Sequence, residues 1–338
     1  MYVPKSPFVL GMEITTQCNL NCPHCLADAD SRGKKIPYDK AISVIDEAER
    51  IGVKDLVLGG GEVLLYDEFF NLCEYALIKG LNVTFSSNGL LIPKEIDSIS
   101  RLKKHNRMLR VGISLDGPTP KIHSYFRPED TFEAAIRAIS LLQNEDINVH
   151  VLCVLNKKNI KIIPDFLEFL IKLNISDMRL LPLMPFGRGK LHREEMLSPA
   201  EFYYILQEKN KWINEFKINI GLNMPWEFLF YPLNKRHPHP CVAGYLRFWI
   251  NSDGNMFPCA YMSDIPLGNI YTDSISDVWL NSPIMRNLRD PSLLKGACST
   301  CAYRADCRGG CRGLAQFLEG DYLCADPYCP IANQKLLK

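Results

Sequence analysis

The sequence predicts an α/β protein: a partial (β/α)6 TIM-like barrel followed by a small, irregular domain held together by metal. Three observations carry this expectation. Between residues 8 and 215 six apolar runs of strand length alternate with six helical patterns, which is how a parallel sheet with helices outside is written. From about residue 217 the alternation stops and proline, aromatic residues and turn signals such as Ser252-Asp253-Gly254 take over. Finally, eight of the thirteen cysteines fall after residue 240, where ligation can replace a large core.

Taken in order, the strands are expected at FVLGMEI (8–14), DLVL (55–58), NVTFS (82–86), LRVGISL (109–115), VHVLCVL (149–155) and MRLLPLM (178–184). Each is short, apolar and rich in β-branched or aliphatic residues. The helices follow at 38–51, 66–79, 93–105, 131–145, 162–173 and 198–216. Gly52 and Gly80 stand where a left-handed residue ends a helix, and Ser198-Pro199 reads as an N-cap followed by proline in the first turn. Eight such units would close a TIM barrel; six leave it open, with functional groups expected where strands end and loops begin. The expected division is residues 1–216 for the barrel, 217–240 for a linker or crossover, and 241–338 for the cysteine-rich domain.

Composition narrows the class. Hydrophobic residues make up 47% and charged residues 23%, ordinary values for a globular protein. A formal charge of +1 gives no general attraction to nucleic acid or to an anionic membrane, and the basic run RLKKHNR (101–107) reads as a solvated helix face and end. No apolar run reaches the roughly eighteen residues of a membrane span, and MYVPKSPFVLG lacks the apolar core of a signal peptide. A cytoplasmic protein is therefore expected. In a reducing compartment thirteen cysteines argue for metal or redox chemistry rather than disulfides. Cys73, inside a helix, and Cys153, inside a strand, read as core residues.

Directly after the first strand, TTQCNLNCPHC places Cys18, Cys22 and Cys25 in a C-x3-C-x2-C spacing. Three thiols are one short of a filled structural site, so either a fourth ligand lies elsewhere or a position is open. Zinc needs His24 as its fourth ligand, which is awkward inside so tight a loop. A [4Fe–4S] cluster held by three thiolates leaves one iron free for a ligand. The loop resembles that of the radical S-adenosylmethionine (SAM) enzymes, with His24 in the slot beside the adenine. Polar groups recur after the later strands. Gly59-Gly60-Gly61-Glu62 is similar to that family's Gly-Gly-Glu-Pro segment, with Val63 in place of proline, and implies Gly60, Gly61 and Glu62 at the methionine amine. Ser87 and Asn88 after the third strand, and Ser114 and Asp116 with Arg127 after the fourth, resemble the groups that hold the ribose and the methionine carboxylate. Asn156 and Asn159 follow the fifth strand as further SAM contacts. Gly187-Arg188-Gly189 after the sixth either touches SAM or substrate or simply ends the barrel.

The C-terminal cysteines form a separate pattern: Cys241 and Cys259 flank Gly254, and Cys298, Cys301, Cys307 and Cys311 fit C-x2-C-x5-C-x3-C. This resembles the SPASM extension of radical SAM enzymes, which carries two auxiliary iron–sulfur clusters. The resemblance implies Cys298, Cys301, Cys307 and a last cysteine for one cluster, and Cys241, Cys259 and Cys311 for the other. The Asp-Pro-x-Cys context favours Cys329 as that last ligand; Cys324 either completes the other cluster or is a bystander. His237, His239 and Asp306 are alternative ligands, and a zinc-ribbon arrangement is the competing reading.

Together the resemblances imply an enzyme that reductively cleaves SAM to a 5′-deoxyadenosyl radical and abstracts hydrogen from a substrate, the auxiliary clusters relaying an electron or anchoring that substrate. A flavodoxin or ferredoxin-type reductant is implied as partner. A peptide or protein is the first substrate expected, with cross-linking or oxidation as the outcome. With the first strand starting about eight residues in, a separate peptide-recognition protein is then expected. A small-molecule cofactor or tetrapyrrole precursor is the second, and a non-catalytic iron–sulfur electron carrier the alternative of another class.

Overall fold

The structure is a computed structural model of the chain and describes residues 4–105, 108–128, 130–222, 224–230 and 241–333. Six strands, β1 (Val9–Thr15), β2 (Asp55–Gly60), β3 (Asn82–Ser87), β4 (Leu109–Ser114), β5 (Asn148–Leu155) and β6 (Asp177–Pro182), lie side by side in chain order, all in parallel. The helices between them are α1 (Tyr38–Ile51), α2 (Phe69–Ile78), α3 (Ile92–Arg101), α4 (Pro120–His123), α5 (Thr131–Asn144) and α6 (Ile163–Lys172), and α7 (Pro199–Phe216) follows β6.

Local chemistry explains these boundaries. In α1, Ala41, Val44, Ile45 and Ala48 recur on one face and are buried, and burying each of the larger side chains contributes about 1.5–3 kcal/mol. The helix stops at Gly52, whose φ of 92° lets its N–H reach back to the carbonyls of Ala48 and Glu49. At the start of α7, Ser198 accepts from the Glu201 N–H while the Glu201 carboxylate accepts from the Ser198 N–H, a reciprocal cap that fixes where the helix begins. The β3 side chains alternate between buried and half-buried, as one layer of a sheet facing a helical coat requires.

The C-terminal part joins the same sheet. Strand β7 (Asn219–Gly221), within the segment expected to be a linker, adds in parallel to β6. At the other edge β8 (Arg247–Ile250) pairs in parallel with β1, and β9 (Asn255–Phe257) and β10 (Gly268–Asn269) continue antiparallel. The described residues thus form one ten-stranded sheet, ordered β10-β9-β8-β1-β2-β3-β4-β5-β6-β7. Gly11 makes the β1–β8 junction possible, because a Cβ there would sit 1.9 Å from the Trp249 ring. The remaining helices are α8 (Ile275–Asn281), α9 (Pro283–Arg289), α10 (Arg304–Cys307) and α11 (Arg312–Glu319), of which α8 packs on α1. One apolar core runs through both parts, from Leu10 and Phe85 to Trp226 and Trp279. Residues 231–240 of the expected linker, with His237 and His239, lie outside the described residues. Among the described residues no helix is long and apolar enough to cross a membrane.

Candidate active site

Strands β1 to β6 deliver their C-terminal ends to one edge of the sheet, and the cysteine loop follows β1 there. That loop is pinned at both ends: Thr16 N donates to Lys34 O (2.9 Å) and Cys18 N donates to Asp30 O (2.7 Å). The end of β2 docks against it through Gly61 N to Thr15 O (2.7 Å) and Glu62 N to Gln17 O (2.9 Å). This contact accounts for the glycines. Gly60 has a φ of +118°, and a Cβ on it would stand 2.0 Å from Thr15 O; one on Gly61 would stand 2.2 Å from Gln17 O. The close approach that these glycines permit in the structure is to the backbone of the cysteine loop.

Glu62 is 1% exposed and lines the cavity beyond the glycines. Its carboxylate accepts from Asn88 N (2.9 Å) and Leu64 N (3.4 Å). Burial raises its pKa to about 7 against the pull of those donors. Asn88 ties β3 to the cysteine loop by donating through Nδ2 to Asn19 Oδ1 (2.8 Å), and Ser87 Oγ accepts from Gly89 N (3.0 Å).

After β4, Asp116 is 2% exposed and accepts from Arg127 Nε (2.5 Å) through one oxygen and from Val154 N (2.7 Å) through the other. Burial opposes its ionisation, but the Arg127 guanidinium and the other charges and donors outweigh it, so its pKa stays below the ordinary value. Arg127, its Nε held in this way, lines the cavity. Asn159 sits behind this pair, where Nδ2 donates to the carbonyls of Asp116 (3.1 Å) and Val154 (2.9 Å) and Oδ1 accepts from Asn156 N (2.9 Å).

A cavity of about 210 Å³ opens at this edge. The sequence-predicted residues on its wall are Cys18, Cys22, His24, Cys25, Gly60, Gly61, Glu62, Ser87, Asn88, Ser114 and Arg127. Asp116 and Asn159 are absent from the lining and instead set the position of Arg127 and of the β4 and β5 ends. The His24 ring packs on Phe126 at 5.2 Å between centroids, and its Nδ1 is buried with no partner among the described residues. Burial and then the Arg127 charge lower the His24 pKa to about 4, which keeps the ring neutral. Burial also raises the Cys18 thiol to about 11, so ligation there must displace a proton.

One functional feature escaped the sequence reading. Tyr261 comes from the C-terminal part yet lines this cavity, stacked on Phe186 at 6.0 Å. Its position two residues after Cys259 was the available signal. Gly187-Arg188-Gly189, which the sequence singled out after the sixth strand, lies against the cysteine loop, and Arg188 binds that loop through four donors.

The later cysteines separate into two groups. Cys298, Cys301, Cys307 and Cys329 line one small pocket with Trp226 and Tyr303. Cys324 is not among its lining residues, and neither is Asp306, which faces solvent. Cys311 lies within electrostatic reach of Cys241 and Cys259, and burial pushes its thiol well up. Between the groups Asp326, fully buried, accepts from Trp226 Nε1 (2.8 Å), Cys311 N (2.7 Å) and Tyr328 N (2.8 Å). Cys73 and Cys153 are buried in the core. Among the described residues no three His, Cys, Asp or Glu side chains converge closely enough to bind one metal ion. A mononuclear zinc site needs that convergence; a cluster, which takes each thiolate on a different iron, does not.

Comparison with known proteins adds the following. The profile of the radical SAM superfamily matches residues 12–170, and that of SPASM, an iron–sulfur cluster-binding domain, matches residues 241–302. The AdoMet-dependent heme synthase of Methanosarcina barkeri is 31% identical over 96% of this chain and 97% of its own. The mycofactocin maturase MftC of Mycobacterium ulcerans is 32% identical over 96% of this chain and 88% of its own. In fold, the chain resembles Streptococcus suis SuiB bound to its precursor peptide SuiA, with a TM-score of 0.79, 20% identity and coverage of 96% and 76%. It also resembles anSMEcpe with bound AdoMet, with a TM-score of 0.73, 19% identity and coverage of 98% of both chains.

Proposed function

The chain belongs to the radical SAM superfamily, and from that premise we propose that it abstracts hydrogen from a peptide or protein substrate to modify it by cross-linking or oxidation. Membership implies SAM and iron–sulfur clusters as cofactors. The observation that carries the reading is the shared cavity: three cysteines, one buried glutamate, one arginine and one histidine line a single space.

This donor set fits the cofactors. Cys18, Cys22 and Cys25 would hold a [4Fe–4S] cluster, Glu62 would accept from the methionine ammonium, and Arg127 would take its carboxylate. When bound, these cofactors supply a primary carbon radical that removes a hydrogen atom from an unactivated carbon. The protein's part is position and exclusion of water. Asp116 fixes the Arg127 fork, His24 stays neutral beside the nucleoside, and Val154, Leu181, Leu183 and Met184 make the substrate side of the cavity apolar. Residues 1–216 then form the radical domain and 241–338 the auxiliary domain. In the latter, Cys298, Cys301, Cys307 and Cys329 hold one cluster and Cys241, Cys259 and Cys311 the other, both [4Fe–4S]. Tyr261 reaches from this domain to the radical cavity, which supports an electron-relay or substrate-anchoring role for it. A cytoplasmic setting with a flavodoxin or ferredoxin-type reductant, and a separate peptide-recognition protein, completes the reading.

The similarity to a maturase and the fold shared with a peptide-bound protein support a peptide substrate. A second reading, radical chemistry on a tetrapyrrole precursor, is favoured by the similarity to a heme synthase along nearly all of both chains. Deuterated candidates decide between them. Deuterium from a side chain of a precursor peptide should appear in 5′-deoxyadenosine if the first reading holds. Transfer from an iron-porphyrin propionate, with none from peptide, would replace it by the second.

A further inference from the structure

Gly187-Arg188-Gly189 leaves β6 and crosses the cysteine loop. Arg188 donates from its backbone N to Cys25 O, from Nε to Cys22 O and from Nη2 to Ala29 O, each at 2.9 Å. Its Nη1 pairs with Asp28 Oδ1, also at 2.9 Å. All four partners lie in residues 22–29, a stretch without helix or strand, whose own bonds from Cys25 N to Cys22 O (3.2 Å) and from Asp28 N to Cys25 O (3.4 Å) are long. Gly187 has a φ of +53°, and a Cβ on it would stand 2.3 Å from Cys25 O and 2.4 Å from Leu26 O. The strap therefore lies flush on the loop and admits no side chain at its first residue. The Arg188 side chain is 18% exposed, whereas that of Asp28 is 67% exposed, so solvent screens the carboxylate more than the guanidinium.

We propose that Arg188 is a positioning residue of the radical site, which sets the spacing of Cys22 and Cys25 before iron arrives and keeps a fixed positive charge beside the cluster they carry. The inference rests on the reading of Cys18, Cys22 and Cys25 as cluster ligands. It has two separable parts. The planar fork holds the Cys22 and Ala29 carbonyls and the Asp28 carboxylate at once, which a lysine cannot do. The charge favours the reduced cluster, which carries one more negative charge than the oxidised form.

The test uses wild type, Arg188→Lys, Arg188→Met and Gly187→Ala. In metal-free protein, maleimide labelling of Cys22 and Cys25, resolved by peptide mass spectrometry, should quicken roughly five-fold or more in all three variants, with Cys324 labelling unchanged. In reconstituted protein, the midpoint potential of the cluster whose EPR signal responds to SAM should become more negative in Arg188→Met. It should stay near wild type in Arg188→Lys. Wild-type labelling in Arg188→Met overturns the positioning role, and an equal potential in wild type and Arg188→Met overturns the electrostatic one. Absence of any SAM-responsive cluster in wild type would instead sink the functional reading, and the labelling would still report on the strap.

Discussion

Replacing Gly61 by alanine puts one methyl carbon where the structure has no room. The new Cβ would stand 2.2 Å from Gln17 O, 2.7 Å from Gln17 C and 3.0 Å from Thr16 C, all backbone atoms that cannot rotate away. Relaxing the shortest of these to the 3.4 Å of an ordinary contact needs a shift of about 1.2 Å. That shift stretches the bonds from Gly61 N to Thr15 O and from Glu62 N to Gln17 O, which are 2.7 and 2.9 Å now. Overpacking of this kind costs about 1–3 kcal/mol, so the metal-free variant should lose roughly 0.3–1.5 M in urea midpoint, taking a slope of about 2–4 kcal/mol per M. The larger effect is functional. The cysteine loop moves away from Glu62, and a misplacement of about 1 Å at a reacting centre costs on the order of 100-fold in rate. The assay is 5′-deoxyadenosine formation per iron-loaded protein, so that any loss of cluster is corrected for. A Gly61→Ala variant with wild-type midpoint and wild-type rate would refute the claim that these glycines seat the cysteine loop.

Other expected outcomes follow from the same geometry. Asp116→Asn keeps an acceptor for Val154 N but unpairs Arg127; breaking a buried pair costs about 3–5 kcal/mol, and the Kd for SAM by calorimetry should rise roughly ten-fold or more. An unchanged Kd would place Arg127 outside SAM binding. Cys329→Ala should lose about four iron atoms per chain and Cys324→Ala none, because Cys329 shares a pocket with Cys298, Cys301 and Cys307 while Cys324 does not; equal losses in colorimetric iron assays contradict this. Glu13, which accepts from Ser252, has its carboxyl raised by burial from the ordinary 4.5 to about 7. Folding therefore takes up a proton between those values, and this group's contribution is greatest below pH 4.5 and is lost as pH rises to 7. The loss is up to about 3 kcal/mol. Urea midpoints of metal-free Glu13→Gln should fall less between pH 5 and 7.5 than those of wild type, and parallel curves would sink the assignment.

Much of the barrel was legible because its signals are local. The α1 boundaries follow from the apolar stripe ending at Ile51 and from Gly52, and α7 begins where Ser198 and Glu201 cap it. The short α4 was missed: only Pro120–His123 is helical, capped by Thr119, too brief for periodicity to register. The pairing of β8 with β1 was also invisible, since it joins residues more than 230 positions apart with no spacing to mark it. Gly11, which makes room for Trp249, is unremarkable until its partner is known. In the site the cysteines were marked by their spacing, and the Gly-Gly-Glu turn by its place after the second strand and its resemblance to a family segment. Sequence alone grouped Asp116 with the cavity residues, whereas the structure puts it one layer behind, paired with Arg127. Which polar residue faces a ligand and which supports its neighbour depends on side-chain direction at strand ends, and strand spacing does not encode that. Gly187-Arg188-Gly189 was singled out, but not its bonds to the cysteine loop, since the Arg188 partners are about 160 positions away.

The central claim is that Cys18, Cys22 and Cys25 form a radical SAM centre. The direct measurement is 5′-deoxyadenosine released from SAM by anaerobically reconstituted, dithionite-reduced protein, set beside a Cys18→Ala, Cys22→Ala, Cys25→Ala variant that retains its C-terminal iron. The account requires product from the first and none above background from the second. Equal release from both would contradict it.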